Sequence, residues 1–151
     1  MFPVVPKTPA RKVESWVQVK DQAIRTIKFL REYNDLSRTG RRHFALHHAQ
    51  ISPNPLDLFV VPTDLDDLSK PMVVVMNAKI TGRDEPVMHT EACISFPFRG
   101  AKSVKRYRRI AVEFDEFNEK EGLVHRTEKM EDLMAYIFQH EIEHSKGRHI
   151  Y

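Results

Sequence analysis

The sequence predicts an α+β fold in which a mostly antiparallel β-sheet lies between two helices. The first helix is indicated by apolar residues at three- and four-residue steps within residues 15–33. The second is indicated by the same spacing near the C-terminus, where it runs into an H-E-x-x-H sequence. Between them, β-branched and aromatic runs separated by turn-forming segments indicate strands. Because these strands follow one another without intervening helices, we expect an α+β fold with a mostly antiparallel sheet.

The size and composition are those of one globular domain. The chain has 151 residues and a formal net charge of +3, so we expect residues 1–151 to form a single domain with a sizeable core. No apolar run approaches the roughly 20 residues that cross a bilayer, so no membrane association is expected. The densest basic cluster, residues 102–109, includes Arg106 and alternates with apolar residues like the solvated side of a strand. We therefore expect no specific nucleic-acid partner.

The N-terminal third is expected to contain an arm and a helix. Residues 1–14 are punctuated by prolines and predict an extended arm. Helical spacing then runs from Ser15 to about Tyr33, and a polar loop follows over residues 34–42. The helix should bury one apolar face, formed by Trp16, Val19, Ala23, Ile27 and Leu30.

The central part of the chain is expected to supply the sheet. Short strands are predicted at residues 58–61 and 72–76, the second of them ending at Asn77. Residues 103–114 mix basic and apolar side chains and should form the longest strand. A charged turn at residues 116–122 would then lead to a hairpin partner at residues 123–126.

The H-E-x-x-H sequence near the C-terminus is the strongest functional signal. On a helix, His140 and His144 lie one turn apart on the same face, so both imidazoles can reach one metal ion. Glu141 lies beside them, where it can take a proton from a metal-bound water without binding the metal itself. The alternative is a pair of histidines on a charged surface helix, but the apolar residues that precede them favour a metal site.

The preceding residues indicate where this helix begins and which face it buries. We expect Thr127 to cap its N-terminus. Leu133 and Ile137 recur in phase with the two histidines, so the metal-binding face should continue the buried face of the helix.

Cys93 is the single cysteine, so no disulfide can form within the chain. A lone cysteine is more often a small buried apolar residue than a metal ligand. Beside an H-E-x-x-H helix it becomes a candidate for the third ligand. One thiolate and two imidazoles leave a fourth position open, which is typical of catalytic rather than structural metal sites.

Three separated segments together resemble the peptide deformylases, which remove the formyl group from N-formylmethionine on new polypeptides. They are a segment that ends at Gln50, the sequence E-A-C-I-S at residues 91–95, and Q-H-E-I-E-H at residues 139–144. The third is the most specific, although Glu143 stands where the family usually has Asp. Ala92 replaces the usual bacterial Gly, as it does in organellar members, and residues 97–100 and 104–107 also resemble that branch.

The first segment departs most from the family, whose pattern is G-x-G-L-A-A-x-Q. Laid on residues 43–50, this pattern matches at Leu46 and Gln50. His43 and Ala45 occupy the two glycine positions, and His47 and His48 occupy the two alanine positions. We interpret the three histidines as partly exposed loop residues that line the cleft and make it tighter and more polar than in typical members.

The resemblance implies a set of site residues and a reaction. Cys93, His140 and His144 would hold Fe²⁺, with Zn²⁺, Ni²⁺ or Co²⁺ as replacements in the purified protein. Metal-bound water would attack the formyl carbonyl with Glu141 as general base. The Gln50 side chain and the backbone N–H of Ile94 would stabilise the oxyanion.

The resemblance also implies partners and a location. The substrate would be an N-formylmethionyl peptide, and the ribosome is a candidate partner. The location would be organellar, in the mitochondrion, or otherwise cytoplasmic, while the oligomeric state stays open. Glu91 should hold the cysteine loop through hydrogen bonds, and Arg99 is either a ligand for the substrate backbone or a surface cation.

Two other functions compete with deformylation. The altered first segment favours a catalytically weakened homologue that binds formylated N-termini or a protein partner. A zincin-type endopeptidase would take its third ligand from a residue beyond the helix motif. Since seven residues follow His144 and His149 is poorly spaced, Cys93 fits a deformylase better.

Overall fold

The computed structural model describes residues 3–36, 42–118 and 122–151. Its elements in chain order are helix α1 (Trp16–Leu36), strand β1 (Leu46–His47), a 3₁₀ turn (His48–Gln50), strands β2 (Leu58–Pro62), β3 (Met72–Glu91), β4 (Lys102–Asn118) and β5 (Gly122–Glu131), and helix α2 (Asp132–Ser145). The strands form one five-stranded sheet in the order β1-β2-β3-β4-β5, with every neighbouring pair antiparallel. The predicted α+β class with a mostly antiparallel sheet is confirmed.

Helix α1 has the predicted apolar face and is three residues longer than expected. Val19, Ala23 and Leu30 are buried, and the helix continues from Tyr33 to Leu36. The first residues of the expected loop are therefore helical, and residues 37–41 of that loop lie outside the described ranges. The Nδ2 of Asn34 donates to the His43 carbonyl at 2.9 Å, and the His43 N–H donates back to Oδ1 at 2.8 Å. This reciprocal pair ties the last turns of α1 to the segment that leads into β1.

Strand β3 does not end at Asn77, contrary to the sequence prediction. Asn77 has φ of 54°, and the pairing of β3 with β4 shifts register between Met76 and Lys79 and again between Ile80 and Gly82. Asn tolerates a positive φ better than most residues, so the chain forms a bulge there and the strand continues to Glu91. The short strand predicted at residues 72–76 is thus the first part of a 20-residue strand. Strand β4, expected to be the longest, has 17 residues.

Helix α2 begins later than the predicted Thr127 cap. Thr127 lies in β5, opposite Glu113, because the hairpin strand extends to Glu131 instead of ending near Arg126. Glu131 occupies the N-cap position without a capping hydrogen bond from its side chain. Leu133 is 37 % exposed and is not part of the buried face.

The buried face of α2 packs on the sheet and forms the main core. Phe138 contacts Phe59 of β2 edge-to-face, with ring centroids 5.1 Å apart, and lies 5.9 Å from Phe114 of β4. Ile137 and Ile142 belong to the same buried cluster. The histidine-bearing part of α2 therefore packs directly against the sheet.

Residues 3–10, which we call the N-terminal strap, run extended across the end of α2. The N–H of Ala10 donates to the Ser145 carbonyl at 2.7 Å. Gly147 follows α2 with φ of +75°, and a Cβ there would lie 2.9 Å from the Lys7 carbonyl oxygen. The glycine therefore serves two purposes, a left-handed helix end and a close crossing of the strap. Neither described helix has the length and apolarity needed to span a membrane.

Candidate metal centre and active site

Helix α2 presents both histidines of the H-E-x-x-H sequence toward the interior. His140 is 9 % exposed and His144 is fully buried, as the helical spacing predicts. The Nδ1 of His144 lies 2.8 Å from the Arg148 carbonyl. The Nδ1 of His140 lies 2.9 Å from Oε1 of Glu91. In each ring the acceptor favours a hydrogen on Nδ1, so in the neutral ring Nε2 is the nitrogen that can bind a metal ion.

Cys93 comes to these histidines from the turn that follows β3. It is 3 % exposed, and its Sγ lies 3.5 Å from Nε2 of His144. The ligand atoms of Cys93, His140 and His144 all lie within 4.8 Å of one another. A tetrahedral centre with metal–sulfur and metal–nitrogen bonds of about 2.3 and 2.0 Å requires a sulfur–nitrogen separation of roughly 3.5 Å. The separation of Cys93 and His144 has this value, and all three predicted ligands lie close enough together to surround one divalent ion.

Glu91 connects the cysteine turn, the helix and the sheet. Its Oε1 accepts from His140 and from Nη2 of Arg106 at 2.8 Å, and its Oε2 accepts from Nε of Arg106 at 2.8 Å. The Nδ1 of His89 lies 3.0 Å from the same Oε2. Both carboxylate oxygens are thus fully engaged. The expectation that Glu91 holds this region by hydrogen bonding agrees with these contacts.

Arg106 is buried, contrary to the prediction from the sequence. It was expected on a solvated strand face, yet it is 4 % exposed and also donates from Nη1 to Oε1 of Glu143 at 2.6 Å. A buried guanidinium is stable when charged acceptors surround it, and two carboxylates do so here. The available signal was the pair of acids themselves. Glu91 and Glu143 lie close to the metal ligands in sequence, and a buried acid such as Glu91 requires a cation.

The charges around the site favour a cation at its centre. Burial by itself would lower the pKa of His140, but the adjacent Cys93 sulfur and Glu91 carboxylate raise it to about 10. Burial, reinforced by the charge of His140, lowers the pKa of His144 well below its usual value. Burial would raise the pKa of Glu91, but hydrogen bonds from His140 and Arg106 outweigh it and lower that pKa to about 2. A divalent ion would supply the positive charge that a proton on His140 otherwise provides.

Glu141 lies beside the ligands, and one of its two carboxylate oxygens accepts no hydrogen bond from the described residues. Its Oε2 is buried and has no hydrogen-bond partner among the described residues. Burial is the main cause that raises its pKa to about 7. An unpartnered buried carboxylate oxygen at the wall of a cleft is positioned to accept a proton from a water molecule. This unpartnered oxygen, together with the ligand spacing, shows that the residues present fit a metal ion and its water.

The side chain of Gln50 extends from the 3₁₀ turn toward the metal ligand Cys93. Its Oε1 accepts the His47 N–H at 2.9 Å, which orients the amide so that Nε2 faces the site. Nε2 donates to Oγ of Ser95 at 3.1 Å and toward Sγ of Cys93 at 3.5 Å. Ile94 follows Cys93 directly and lines the cleft. The two residues expected to stabilise an oxyanion therefore lie at one end of the metal-ligand set.

A cleft of about 350 Å³ opens over these residues. Its lining includes Gln50, Ile94, His140 and Glu141, with Tyr136 on its helical wall. The cleft thus gives a bound molecule access to the proposed base and oxyanion donors.

The first sequence segment contributes less to the cleft than expected. His43 and Ala45 line it, whereas His47 and His48 do not. His47 is fully buried, and its Nδ1 accepts the Ala49 N–H at 2.9 Å while its Nε2 lies 3.5 Å from Asp57.

The Nδ1 of His48 accepts the Leu56 N–H at 2.9 Å. The expectation that His47 and His48 are partly exposed and crowd the cleft is wrong, because both rings are buried and accept hydrogen bonds from backbone N–H groups inside the fold. Narrowing of the cleft by His43 stays a prediction.

Arg99 lies away from this cleft. It is exposed, and its guanidinium lies 5.6 Å from the Phe96 ring centroid and 5.0 Å from that of Tyr151. Stacking on two aromatic rings accounts for its position. Of the two roles considered for Arg99, the surface cation agrees with this arrangement.

Fold and site together define the class of protein. It is an α+β metal-binding protein of the H-E-x-x-H type, with a cysteine upstream of the helix as the third ligand. The family model described as polypeptide deformylase matches residues 8–151. The chain belongs to the polypeptide deformylase family.

Individual relatives agree with this assignment. Peptide deformylase from Thermus thermophilus is 40% identical over 83 residues, which cover 55% of this chain and 41% of the relative. Peptide deformylase from Bartonella henselae is 26% identical over 147 residues, covering 96% of this chain and 78% of the relative. The crystal structure of a Thermus thermophilus peptide deformylase superposes with a TM-score of 0.77 at 30% identity, covering 99% of this chain and 83% of that one. The sequence match thus covers less than half of the Thermus relative, whereas the structural superposition covers most of the Thermus structure.

Proposed function

We propose that this chain is a metal-dependent hydrolase that removes the N-formyl group from N-formylmethionyl peptides. The observation that carries the proposal is the convergence of Cys93, His140 and His144 beside the unpartnered carboxylate oxygen of Glu141. Three ligands and an adjacent free base are the parts required for hydrolysis of an amide. Family membership supplies the substrate class.

Each residue has a definite task in this reaction. A divalent ion held by Cys93, His140 and His144 would supply Lewis acidity toward water and the formyl carbonyl. Glu141 accepts the proton of the attacking water, which its pKa of about 7 permits near neutral pH, and passes that proton to the leaving amine. Gln50 Nε2 and the Ile94 N–H donate to the oxygen that becomes negatively charged, and one such donor is worth about 2.7–4 kcal/mol.

Ferrous ion is the proposed metal, and the ligands do not select it strongly. One thiolate and two imidazoles also suit Zn²⁺, Co²⁺ and Ni²⁺. Glu91 and Arg106 would act on any of these ions in the same way, by fixing the orientation of the His140 ring. We further propose an organellar location and an association with the ribosome, both on the basis of resemblance.

The structure bears on the competing functions. The weakened-homologue hypothesis rested on crowding by three histidines, and two of them, His47 and His48, are absent from the cleft lining. The zincin hypothesis needed a ligand downstream of His144, whereas the third ligand atom at the site belongs to Cys93. Both observations favour hydrolysis of formyl peptides.

The test is formate release from formyl-Met-Ala by protein loaded anaerobically with Fe²⁺. Glu141→Gln keeps the shape of the side chain but cannot accept a proton. We expect this variant to retain stoichiometric metal while kcat falls by about 10²–10⁴. Glu128→Gln, the same change at an exposed residue of β5, is the matched control and should match the wild type. Formate release by Glu141→Gln at the wild-type rate would show that another group moves the proton.

A further inference from the structure

Val4 of the N-terminal strap makes two hydrogen bonds to the catalytic region. The N–H of Val4 donates to the Gln50 carbonyl at 2.6 Å. The carbonyl of Val4 accepts from Oγ of Ser95 at 2.7 Å. Gln50 precedes strand β2 and Ser95 follows strand β3. Val4 therefore connects two residues that are 45 positions apart in the chain.

Ser95 extends this connection to the Gln50 side chain. Its hydroxyl hydrogen is committed to Val4, so its oxygen lone pairs face the Gln50 amide and accept from Nε2 at 3.1 Å. Ser95 is 7 % exposed and Gln50 is 1 % exposed. Solvent therefore has little access to replace either hydrogen bond.

The Gln50 amide is consequently held at three points. The His47 N–H fixes Oε1 at 2.9 Å, Ser95 fixes one hydrogen of Nε2, and the second hydrogen points toward Cys93 at 3.5 Å. Without Ser95, rotation about the last side-chain torsion of Gln50 would be opposed mainly by the His47 contact. The hydrogen directed into the site would then lose its fixed direction.

We propose that Ser95 is a positioning residue for catalysis, and that the strap carbonyl at Val4 orients it. Hydrogen bonds run from Ser95 to Val4 and from Gln50 to Ser95, and they direct the second Nε2 hydrogen of Gln50 toward Cys93 and the metal-ligand set, where the reacting oxygen would lie. This inference rests on the proposed function for its kinetic consequence but not for its structural one. Loss of a pre-aligned donor affects the transition state more than the bound substrate, so kcat changes and KM does not.

The first variants to test are Ser95→Ala and the same substitution at a control serine. Ser52→Ala is the control, because Ser52 lies in the turn beneath the strap and its Oγ accepts from the Asn54 N–H at 3.3 Å. We expect Ser95→Ala to lower kcat for formyl-Met-Ala by about ten- to a hundredfold, since misplacement of a donor by about 1 Å can cost that much. KM and metal content should stay at wild-type values. Ser52→Ala should leave all three quantities unchanged.

A second pair of variants tests the strap and does not alter Ser95. Val4→Pro removes the N–H that docks Val4 on Gln50, whereas Val4→Ala keeps it, and the Val4 side chain is 40 % exposed. We expect kcat to fall in Val4→Pro and to be normal in Val4→Ala. Should Ser95→Ala fail to fold, this pair still decides the proposal.

A measurement without substrate separates this proposal from the proposed function. In ¹⁵N-labelled protein, the side-chain amide protons of Gln50 should exchange slowly in the wild type and faster in Ser95→Ala and Val4→Pro. Slow exchange in both variants, or wild-type kcat in both, would overturn the positioning role. Loss of metal in parallel with kcat would overturn it as well, since that indicates a merely structural effect. Absence of formate release by the wild type would refute the proposed function, and the exchange rates would still test the link.

Discussion

Replacement of Arg106 by Met tests the physical interpretation of the site most directly. Arg106 is 4 % exposed and donates two hydrogen bonds to Glu91 and one to Glu143. Met has a similar length and fills a similar volume, so the change removes charge and donors with little loss of packing. Glu91 would then keep its hydrogen bonds with His140 and His89 but would be a buried carboxylate without the cation of Arg106.

The expected magnitude follows from this burial. Removing one partner of a buried ion pair costs about 3–5 kcal/mol, because the other charge is left uncompensated. For a domain of this size each kcal/mol shifts Tm by about 2–4 °C, so the metal-free protein should lose roughly 6–20 °C. The pKa of Glu91, held at about 2 by His140 and Arg106 against the effect of burial, should rise. A less firmly anchored Glu91 orients His140 less well, and metal affinity should fall by about 10–100-fold.

Thermal unfolding followed by circular dichroism and a metal-competition titration measure the two effects. Arg109→Met is the matched control, since Arg109 lies on the same strand and pairs with Asp84 at 2.8 Å in an exposed position. We expect Tm and metal affinity of that variant to stay close to wild type. Arg106→Met combined with Glu91→Gln should recover part of the lost stability, because no buried charge is then left unpaired. A Tm and a metal affinity in Arg106→Met equal to those of Arg109→Met would refute this explanation.

Two further predictions concern residues outside the metal site. Burial, together with the charges of His47 and Arg11, lowers the pKa of His48 to about 4. As pH falls from about 6.5 toward 4, His48 therefore takes up a proton in the unfolded chain but not in the folded one, and the folded state loses stability over that range. His48→Asn retains an acceptor for the Leu56 N–H and should make urea midpoints less sensitive to pH over that range, whereas an unchanged pH dependence would exclude His48 as its source. Gly147→Ala forces a Cβ into a residue with φ of +75°, 2.9 Å from the Lys7 carbonyl, and should lower the free energy of unfolding by about 1–3 kcal/mol in urea titrations. An unaltered midpoint would show that the strap can move away without cost.

The sequence by itself determined the features that depend on local geometry. His140 and His144 share a helical face because 3.6 residues make one turn, and that period does not depend on what surrounds the helix. The same periodicity predicted α1 and its buried residues Val19, Ala23 and Leu30. The mostly antiparallel pairing of the strands followed from short apolar runs lying next to one another in the chain. Family resemblance added Cys93 and Gln50, which no local period would have connected to the helix.

Tertiary structure decided whatever depends on partners distant in sequence. Arg106 has the surroundings of an exposed strand residue in the sequence, and it is buried because Glu91 and Glu143 converge on it from β3 and α2. His47 and His48 resemble loop residues, yet both are enclosed, with the backbone N–H groups of Ala49 and Leu56 donating to their Nδ1 atoms. A polar side chain enters the interior when its hydrogen bonds are replaced there, and the sequence does not show which groups will replace them.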